Sequence, residues 1–405
     1  MDMNLREKVK KSASGKLPAM IDHRRHFHRN PELSFAEERT AAAIADSLRS
    51  LGLKVETSVA GHGVVALIEG EAGAGPCVAL RADMDALPIE EKTGKAYSSM
   101  NMGVMHACGH DAHMAMLLGA AQILHELRSG FGGTVKLIFQ PAEEQLPGGA
   151  KAMIEAGVLQ NPDVDAIIAL HVSPDMPAGT LGFCSGAFMA SGDEINIRLS
   201  GKGGHAAQPD KTDDVVLAAA QLLVNLQQIV SRKTPPALPA VLSFGKLIAS
   251  GAHNILPDEA LLQGTFRTFD EVFRAKAKEM IRQIASGTAL AHGIEAEVII
   301  ADGYPVLHND LSLTARLQHL ANQIFGQEWV RTLPMRMTTE DFAYYSQKIP
   351  ACFIRLGTGN EAFGIRAGLH SPLFDIDESA MQNGAAMLAA SAIMLLNEGF
   401  PQANK

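Results

Sequence analysis

Cys77-Val78-Ala79-Leu80-Arg81-Ala82 is a short, mostly apolar run that leads into Asp83-Met84-Asp85. Its length and its boundaries read as a buried strand. The pattern recurs at Thr134–Phe139, which leads into Gln140-Pro141-Ala142-Glu143-Glu144, and at Val164–Leu170, which leads into His171. Helical patterns at Ala112–Leu127 and Gly149–Ala156 separate the runs. Strand and helix alternating in this way predict an α/β sheet with strands mostly parallel. Polar residues then gather at the carboxyl ends of the strands, where open sheets of this class collect ligands.

Between the first two strands lies Met105-His106-Ala107-Cys108-Gly109-His110-Asp111-Ala112-His113. Cysteine, histidine and carboxylate are the usual ligands of zinc and its neighbours. Cys108 and His110 are two apart, so a helix would point them in nearly opposite directions. A turn around Gly109 would let them converge, with Asp111 as the expected N-cap of the helix that follows. Met100, Met102 and Met105 read as packing residues, not as a copper site.

From about Ser191 the pattern changes. Asp193–Leu199 alternates polar and apolar, as a half-buried antiparallel strand does. A helix over Asp214–Val230 follows, then strands near Ala240–Leu247 and Ala260–Phe266, a helix over Asp270–Ala285 and a strand near Ala296–Ile300. That order is the ferredoxin-like β-α-β-β-α-β pattern. The expected organisation is one α/β domain over residues 1–189 and 303–405, with a mixed sheet flanked by helices. A small α+β domain over residues 190–302 is inserted into it. Cys352–Leu356 reads as a further strand of the first domain, with Leu369-His370-Ser371-Pro372 beyond it.

Composition narrows the functional classes. With 405 residues two cores are expected. A net charge of -9 argues against nucleic acid as a partner. The four cysteines, Cys77, Cys108, Cys184 and Cys352, form no CxxC pair, which fits a reducing compartment. The N-terminal stretch is charged and has no apolar signal core. The longest apolar run, Ala385 to Leu396, is too short to span a membrane. The expectation is a cytoplasmic protein with neither a membrane nor a nucleic-acid partner.

Glu143-Glu144 is the second chemical element. Adjacent residues of an extended chain point opposite ways. A kink after Pro141 could instead aim one carboxylate at a metal and the other at a water. Metal-assisted hydrolysis needs that division, because a separate carboxylate must take the proton and return it to the leaving amine. His171 and His370 are ligand candidates by position, although a lone histidine is more often a hydrogen-bonded core residue. Asp83 and Asp85 could be ligands, partners that orient a histidine, or turn formers before Pro88. Two rival readings stay open: a thiol hydrolase with Cys108 as nucleophile, and a protein that binds a metal or ligand without turnover.

The combination MHACGHDAH (105–113), QPAEE (140–144), ALHV (169–172) and LHSP (369–372) resembles the peptidase M20 family of metallohydrolases. It is most similar to the aminoacylase-like branch, which holds hippurate hydrolases, N-acetyl-amino-acid deacetylases and auxin-conjugate hydrolases. The likeness also takes in His26–Ser34, Arg81–Pro88, Gly201–Ala207, Asn254–Asp258 and Thr339–Phe342. It implies a metallopeptidase-type catalytic domain and an inserted domain that acts as lid and dimerisation surface.

The resemblance further implies two divalent metal ions per subunit: zinc, manganese, cobalt or nickel. They would be held by Cys108, His110, Glu144, His171 and His370. Glu143 matches the general base and Asp85 the residue that orients a ligand; Asp83 falls where relatives outside the branch place a histidine ligand. His205 matches a histidine that polarises the scissile carbonyl, in one arrangement from the partner subunit. Asn254 and Arg267 match positions that could hold a substrate carboxylate. The implied activity is hydrolysis of the amide bond of an N-acyl amino acid (N-acetyl or N-benzoyl, for example) by a homodimer or tetramer. A dipeptidase or carboxypeptidase on the same scaffold is the nearest alternative.

Overall fold

The computed structural model describes residues 3–400, and the chain divides into two compact units. The first contains the chain up to Phe188, His308–Pro334 and the chain from Asp341 onward. Its eight-stranded sheet runs in the order Lys54–Val59, Gly63–Glu69, Thr134–Gln140, Cys77–Asp83, Ala166–Pro177, Ala351–Gly359, Leu181–Phe183, Val330–Thr332. The middle four strands are mutually parallel. The outer pairs add antiparallel neighbours, so the sheet is mixed. All of Cys77–Asp83 is buried, as expected for a strand covered on both faces.

Register does the positioning. Asp83 pairs with Gln140, so two neighbouring strands end level and set residues 83–85 beside 140–144. The third strand is longer than the sequence pattern suggests: it runs through His171 to Pro177, which places His171 in mid-strand. Its pairing with Cys77–Asp83 stops at Ala169. His171 therefore clears that neighbour while Arg355 pairs with it on the other side.

Helices Met3–Arg29, His110–Glu126 and Met381–Glu398 pack against one another, and the last two also lie on the central strands. His110–Glu126 and Met381–Glu398 are apolar almost all round because both are enclosed. Two segments among the described residues, Val215–Lys233 and Glu378–Glu398, are long and apolar enough to cross a membrane by length and composition, and the second contains the apolar run Ala385–Leu396. In the second, 83% of the apolar window is buried inside the protein. All four cysteines are buried and free. Met105 is buried, but Met100 and Met102 are exposed, against the packing role expected for them.

The second unit is Met189–Leu307 with the short segment Met335–Glu340. Its antiparallel sheet has the order Ala240–Ile248, Glu259–Thr268, Ser191–Ser200, Glu295–Ala301. Helices Val215–Leu226 and Glu271–His292 complete a ferredoxin-like unit. Ser191–Ser200 alternates buried and more exposed positions, with Ile195, Ile197 and Leu199 facing the core. Asp214 and Asp270 cap the two helices, accepting from the Leu217 and Phe273 amides.

Asp193 is the buried charge on which this unit depends. Its carboxylate accepts from Arg274 Nε at 2.8 Å and Nη2 at 2.7 Å and lies 2.8 Å from Lys278 Nζ. Removing one partner of such a group strands the other in a dry environment. Asp193→Ala should cost about 3–5 kcal/mol of stability, read as a lower urea midpoint for the loss of the unit's secondary structure. A midpoint equal to the parent's would remove this role.

Candidate metal centre

The helix that carries the donor cluster starts at His110, two residues earlier than expected. Its N-cap is Gly109, at φ +85°, with no side-chain cap. Asp111 is therefore not the N-cap. It lies in the first turn, and its carboxylate accepts from Arg24 Nε at 3.0 Å and pairs with His28 Nδ1 at 2.8 Å. The left-handed glycine turns the chain so that Cys108 and His110 face a common point.

Two groups of donor atoms meet at Cys108, and a further one joins His110, Glu143 and Glu144. Cys108, His110 and His171 make one; Cys108, Glu144 and His370 make the other. Together they contain all five ligand positions expected from the sequence, with Cys108 in both groups. The Cys108 Sγ atom lies 3.4 Å from His171 Nε2, and His370 Nε2 lies 3.2 Å from Glu144 Oε1. His110 pairs its Nδ1 with the Asp85 carbonyl at 2.8 Å, and His171 pairs its Nδ1 with the Val172 carbonyl at 2.7 Å. Carbonyls only accept, so both rings carry a proton on Nδ1 and turn Nε2 inward.

Glu143 and Glu144 are adjacent, yet both approach His110 Nε2, at 4.0 and 3.9 Å. The kink that allows this is Ala142, a non-glycine residue at φ +52°. The Glu144 amide donates to Asp85 Oδ2 at 2.9 Å. The other side of the loop is tied by Asp341, whose Oδ2 accepts from Gln140 Nε2 at 2.7 Å and from the Ala150 amide at 2.9 Å. Asp85 also accepts from Ser34 Oγ at 2.6 Å. Burial would raise the pKa of Asp85, but hydrogen bonds from His110 and Ser34 hold it below the usual carboxylate range.

Another donor group, Asp83, His110 and His113, is geometrically close, but its members are already committed. His113 Nδ1 donates to Asp83 Oδ1 at 2.6 Å while its Nε2 accepts from the Val172 amide at 3.0 Å. Asp83 Oδ2 takes Arg81 Nη1 at 2.6 Å. Asp83 thus acts as an anchor for His113 and Arg81. His113, Arg81, Gln140 and Ser34 had no assigned role in the sequence reading. The one available signal was that His113 sits three residues after His110, on the same helix face.

The electrostatics fit a cation. Burial disfavours charge on His110, yet Asp83, Asp85 and Glu144 push its pKa up to about 10. Its Nε2 is buried and has no hydrogen-bond partner. Burial and the charge of Arg355 hold His171 well below its usual value, so its lone pair is available. Burial, with Glu144 and Glu143 close by, holds the Cys108 thiol well above its ordinary pKa. That is the opposite of what a nucleophilic cysteine needs, and it disfavours the thiol-hydrolase reading. A bound cation would reverse it, since a coordinating thiol is deprotonated.

The remaining expected residues lie in the second unit. His205 is exposed, in a two-residue bridge with Ile255–Leu256. The Ala207 amide donates to its Nδ1 at 3.1 Å, which leaves the proton on Nε2. Asn254 is adjacent, its carbonyl accepting from the Ala206 amide at 3.0 Å. Arg267 is not brought to them. It lies near the far end of Glu259–Thr268, roughly 27 Å along the strand from the end that follows Asn254, at about 3.4 Å per residue. Its Nη1 donates to the Met337 carbonyl.

Residues 79–393 match the model of a family described as peptidase family M20/M25/M40. The chain is 41% identical to an N-acetyl-L-cysteine deacetylase of Bacillus subtilis, over 93% of this chain and 88% of that protein. It is 40% identical to thermostable carboxypeptidase 2 of Saccharolobus solfataricus, over 98% of this chain and all of that protein. Among solved structures it resembles the YXEP protein of Bacillus subtilis, described as a dinuclear metal-binding peptidase of the M20 family. The TM-score is 0.82 and the identity 34%, covering 95% of this chain and 99% of that one.

Gly109 tests the geometry of the turn. A Cβ there would lie 2.4 Å from Val172 Cγ2 on a backbone that L side chains avoid. Gly109→Ala should cost about 1–3 kcal/mol and separate Cys108 from His171. Both a lower thermal midpoint and a lower metal content by elemental analysis are expected. Full metal content would show that the turn does not set the ligand geometry.

Proposed function

The chain belongs to peptidase family M20/M25/M40 and to its aminoacylase-like amidohydrolase branch, and from that premise we propose that it hydrolyses the amide bond of N-acyl amino acids with two divalent metal ions. The observation that carries this reading is the placement of Glu143: it borders both donor groups, and its neighbour Glu144 completes one of them. That placement supports the division between ligand and base that hydrolysis of an amide requires.

Cys108, His110 and His171 would hold one ion and Cys108, Glu144 and His370 the other, with Cys108 shared. Such ions lower the pKa of a water and polarise a carbonyl. Glu143 takes the proton of the attacking water on its carboxylate and passes it to the departing amine. Asp85 keeps His110 turned inward and Glu144 in place. His205 supplies an Nε2–H donor for the developing oxyanion. A thiolate among the ligands favours zinc; manganese, cobalt and nickel are the other candidates.

Asn254 and Arg267 are assigned to the amino-acid carboxylate. They lie too far apart in one copy to touch one small substrate, so we assign them to different copies of a homodimer. The edge strand Ala240–Ile248 exposes Leu247 and Ile248, and helix Val215–Leu226 exposes Leu217 and Val224. An unpaired edge with apolar residues is a ready surface for a second copy. The inserted unit is accordingly read as the dimerisation surface and lid.

The test is release of free amino acid from N-acetyl, N-benzoyl and dipeptide substrates, by metal-stripped enzyme beside samples refilled with each metal. Metal-dependent cleavage of the N-acyl substrates is expected. A preference for dipeptides would favour the carboxypeptidase or dipeptidase alternative, to which the likeness to a carboxypeptidase lends support. Glu143→Gln should keep its metal and lose about 10²–10⁴-fold in kcat; near-parental turnover would sink the assigned base.

A further inference from the structure

Glu37 is fully buried, and its neighbour Glu38 is exposed. It belongs to none of the donor groups at the metal centre. Its Oε1 accepts the amide hydrogen of Ala142 at 2.8 Å across a separation of 105 residues. Ala142 is the left-handed residue just before Glu143. A non-glycine residue in that region costs of order 1–3 kcal/mol and persists only where its surroundings hold it.

The loop around Glu143 is held by carboxylates from three distant parts of the chain. The amide of residue 142 goes to Glu37, that of 144 to Asp85 and that of 150 to Asp341. The Ala142 carbonyl closes the neck by accepting from the Gly149 amide at 2.9 Å. Gly149 has no room for a side chain: a Cβ would lie 1.8 Å from the Pro141 carbonyl oxygen. Both ends of the peptide unit at Ala142 are therefore tied, and Glu37 is the tie whose side chain reaches in from outside the loop.

A carboxylate is a costly choice for this contact. Burial, helped by the charge of Asp85, pushes Glu37 up to about 7. A buried carboxyl kept at such expense, with its Oε1 on the Ala142 amide, points to a geometric need. We propose that Glu37 is a positioning residue for Glu143: it fixes the left-handed turn at Ala142 and so sets the direction of the base. This inference rests on the reading of Glu143 as the general base.

The experiment compares Glu37→Leu, Glu37→Gln and, as a neighbouring control, Glu38→Gln, each with kcat, KM, metal content, thermal midpoint and amide hydrogen exchange over residues 141–149. A misaimed base should lower kcat of Glu37→Leu by about 10²-fold, with KM and metal content close to the parent's. Glu37→Gln keeps an acceptor oxygen and should restore most of the rate, and Glu38→Gln should match the parent. Parental kcat in Glu37→Leu, or equal loss in the Leu and Gln variants, would overturn the proposal. If Glu37→Leu does not fold, the smaller Glu37→Ala removes the same acceptor from the Ala142 amide, and parental kcat there would be equally fatal. If the parent binds metal but cleaves nothing in the panel, the assignment of Glu143 fails by itself. Exchange at 141–149 still decides whether Glu37 orders the loop: faster exchange in Glu37→Leu supports it, and unchanged exchange rejects it.

Discussion

Acidic side chains crowd the carboxyl end of one parallel sheet, and the need to compensate them governs the rest of the first unit. Asp83, Asp85, Glu143, Asp111, Asp341 and Glu37 are all buried. A buried carboxylate left unpaired costs several kcal/mol. Two of the buried arginines answer this directly. Arg81 lies between Asp83 and Asp341, at 2.6 and 2.7 Å. Arg24 lies between Asp111 and Asp375, at 3.0 and 2.7 Å. Cys108, His110 and Glu144 bring donor atoms together beyond these pairs, and a divalent ion would be held there.

The two arginines do more than neutralise. Arg24 reaches from the first helix to Asp111, next to His110, and to Asp375 and Glu378, just beyond His370. It ties together the segments that carry one member of each donor group. His28 adds to the same tie: burial opposes its charge, but the bond to Asp111 pushes it up to about 9. Arg81 works on the other side, joining Asp83 under His113 to Asp341 under the Glu143 loop. The ligand set is assembled from distant segments, and long-range ion pairs hold those segments in register.

The parts of this arrangement visible in the sequence were those with a local signature. Buried strands show as apolar runs, and Cys108, His110, Glu143 and Glu144 stand at their ends or in the cluster between them. The ferredoxin-like order showed through alternation, as in Ser191–Ser200. Features set by pairing between distant segments were not visible. Asp111 looked like a helix cap because a cap is the local use of an aspartate before an apolar run. Only the arrival of Arg24 and His28 from the first helix shows its actual partner. His171 looked like the end of a strand because its apolar run stops at Leu170. The strand continues because Ala351–Gly359 goes on pairing with it. The separation of Arg267 from Asn254 follows from strand length and register, which motif matching does not measure.

Strain marks the places where the backbone serves the site. Among the described residues few non-glycine positions have positive φ, and two of them, Ala142 and His370, belong to the segments that deliver Glu143 and Glu144 on one side and the His370 donor on the other. Each is held by a specific bond: Ala142 by Glu37, and His370 by its own amide donating to the Ala107 carbonyl at 2.8 Å. A regular strand or helix could not have brought adjacent glutamates to one histidine nitrogen, because neighbouring side chains diverge in both. A left-handed residue breaks that rule at a cost of order 1–3 kcal/mol. The surrounding carboxylates offset the cost by fixing the loop, so the negative charge that must be compensated by cations also sets the directions of Glu143 and Glu144.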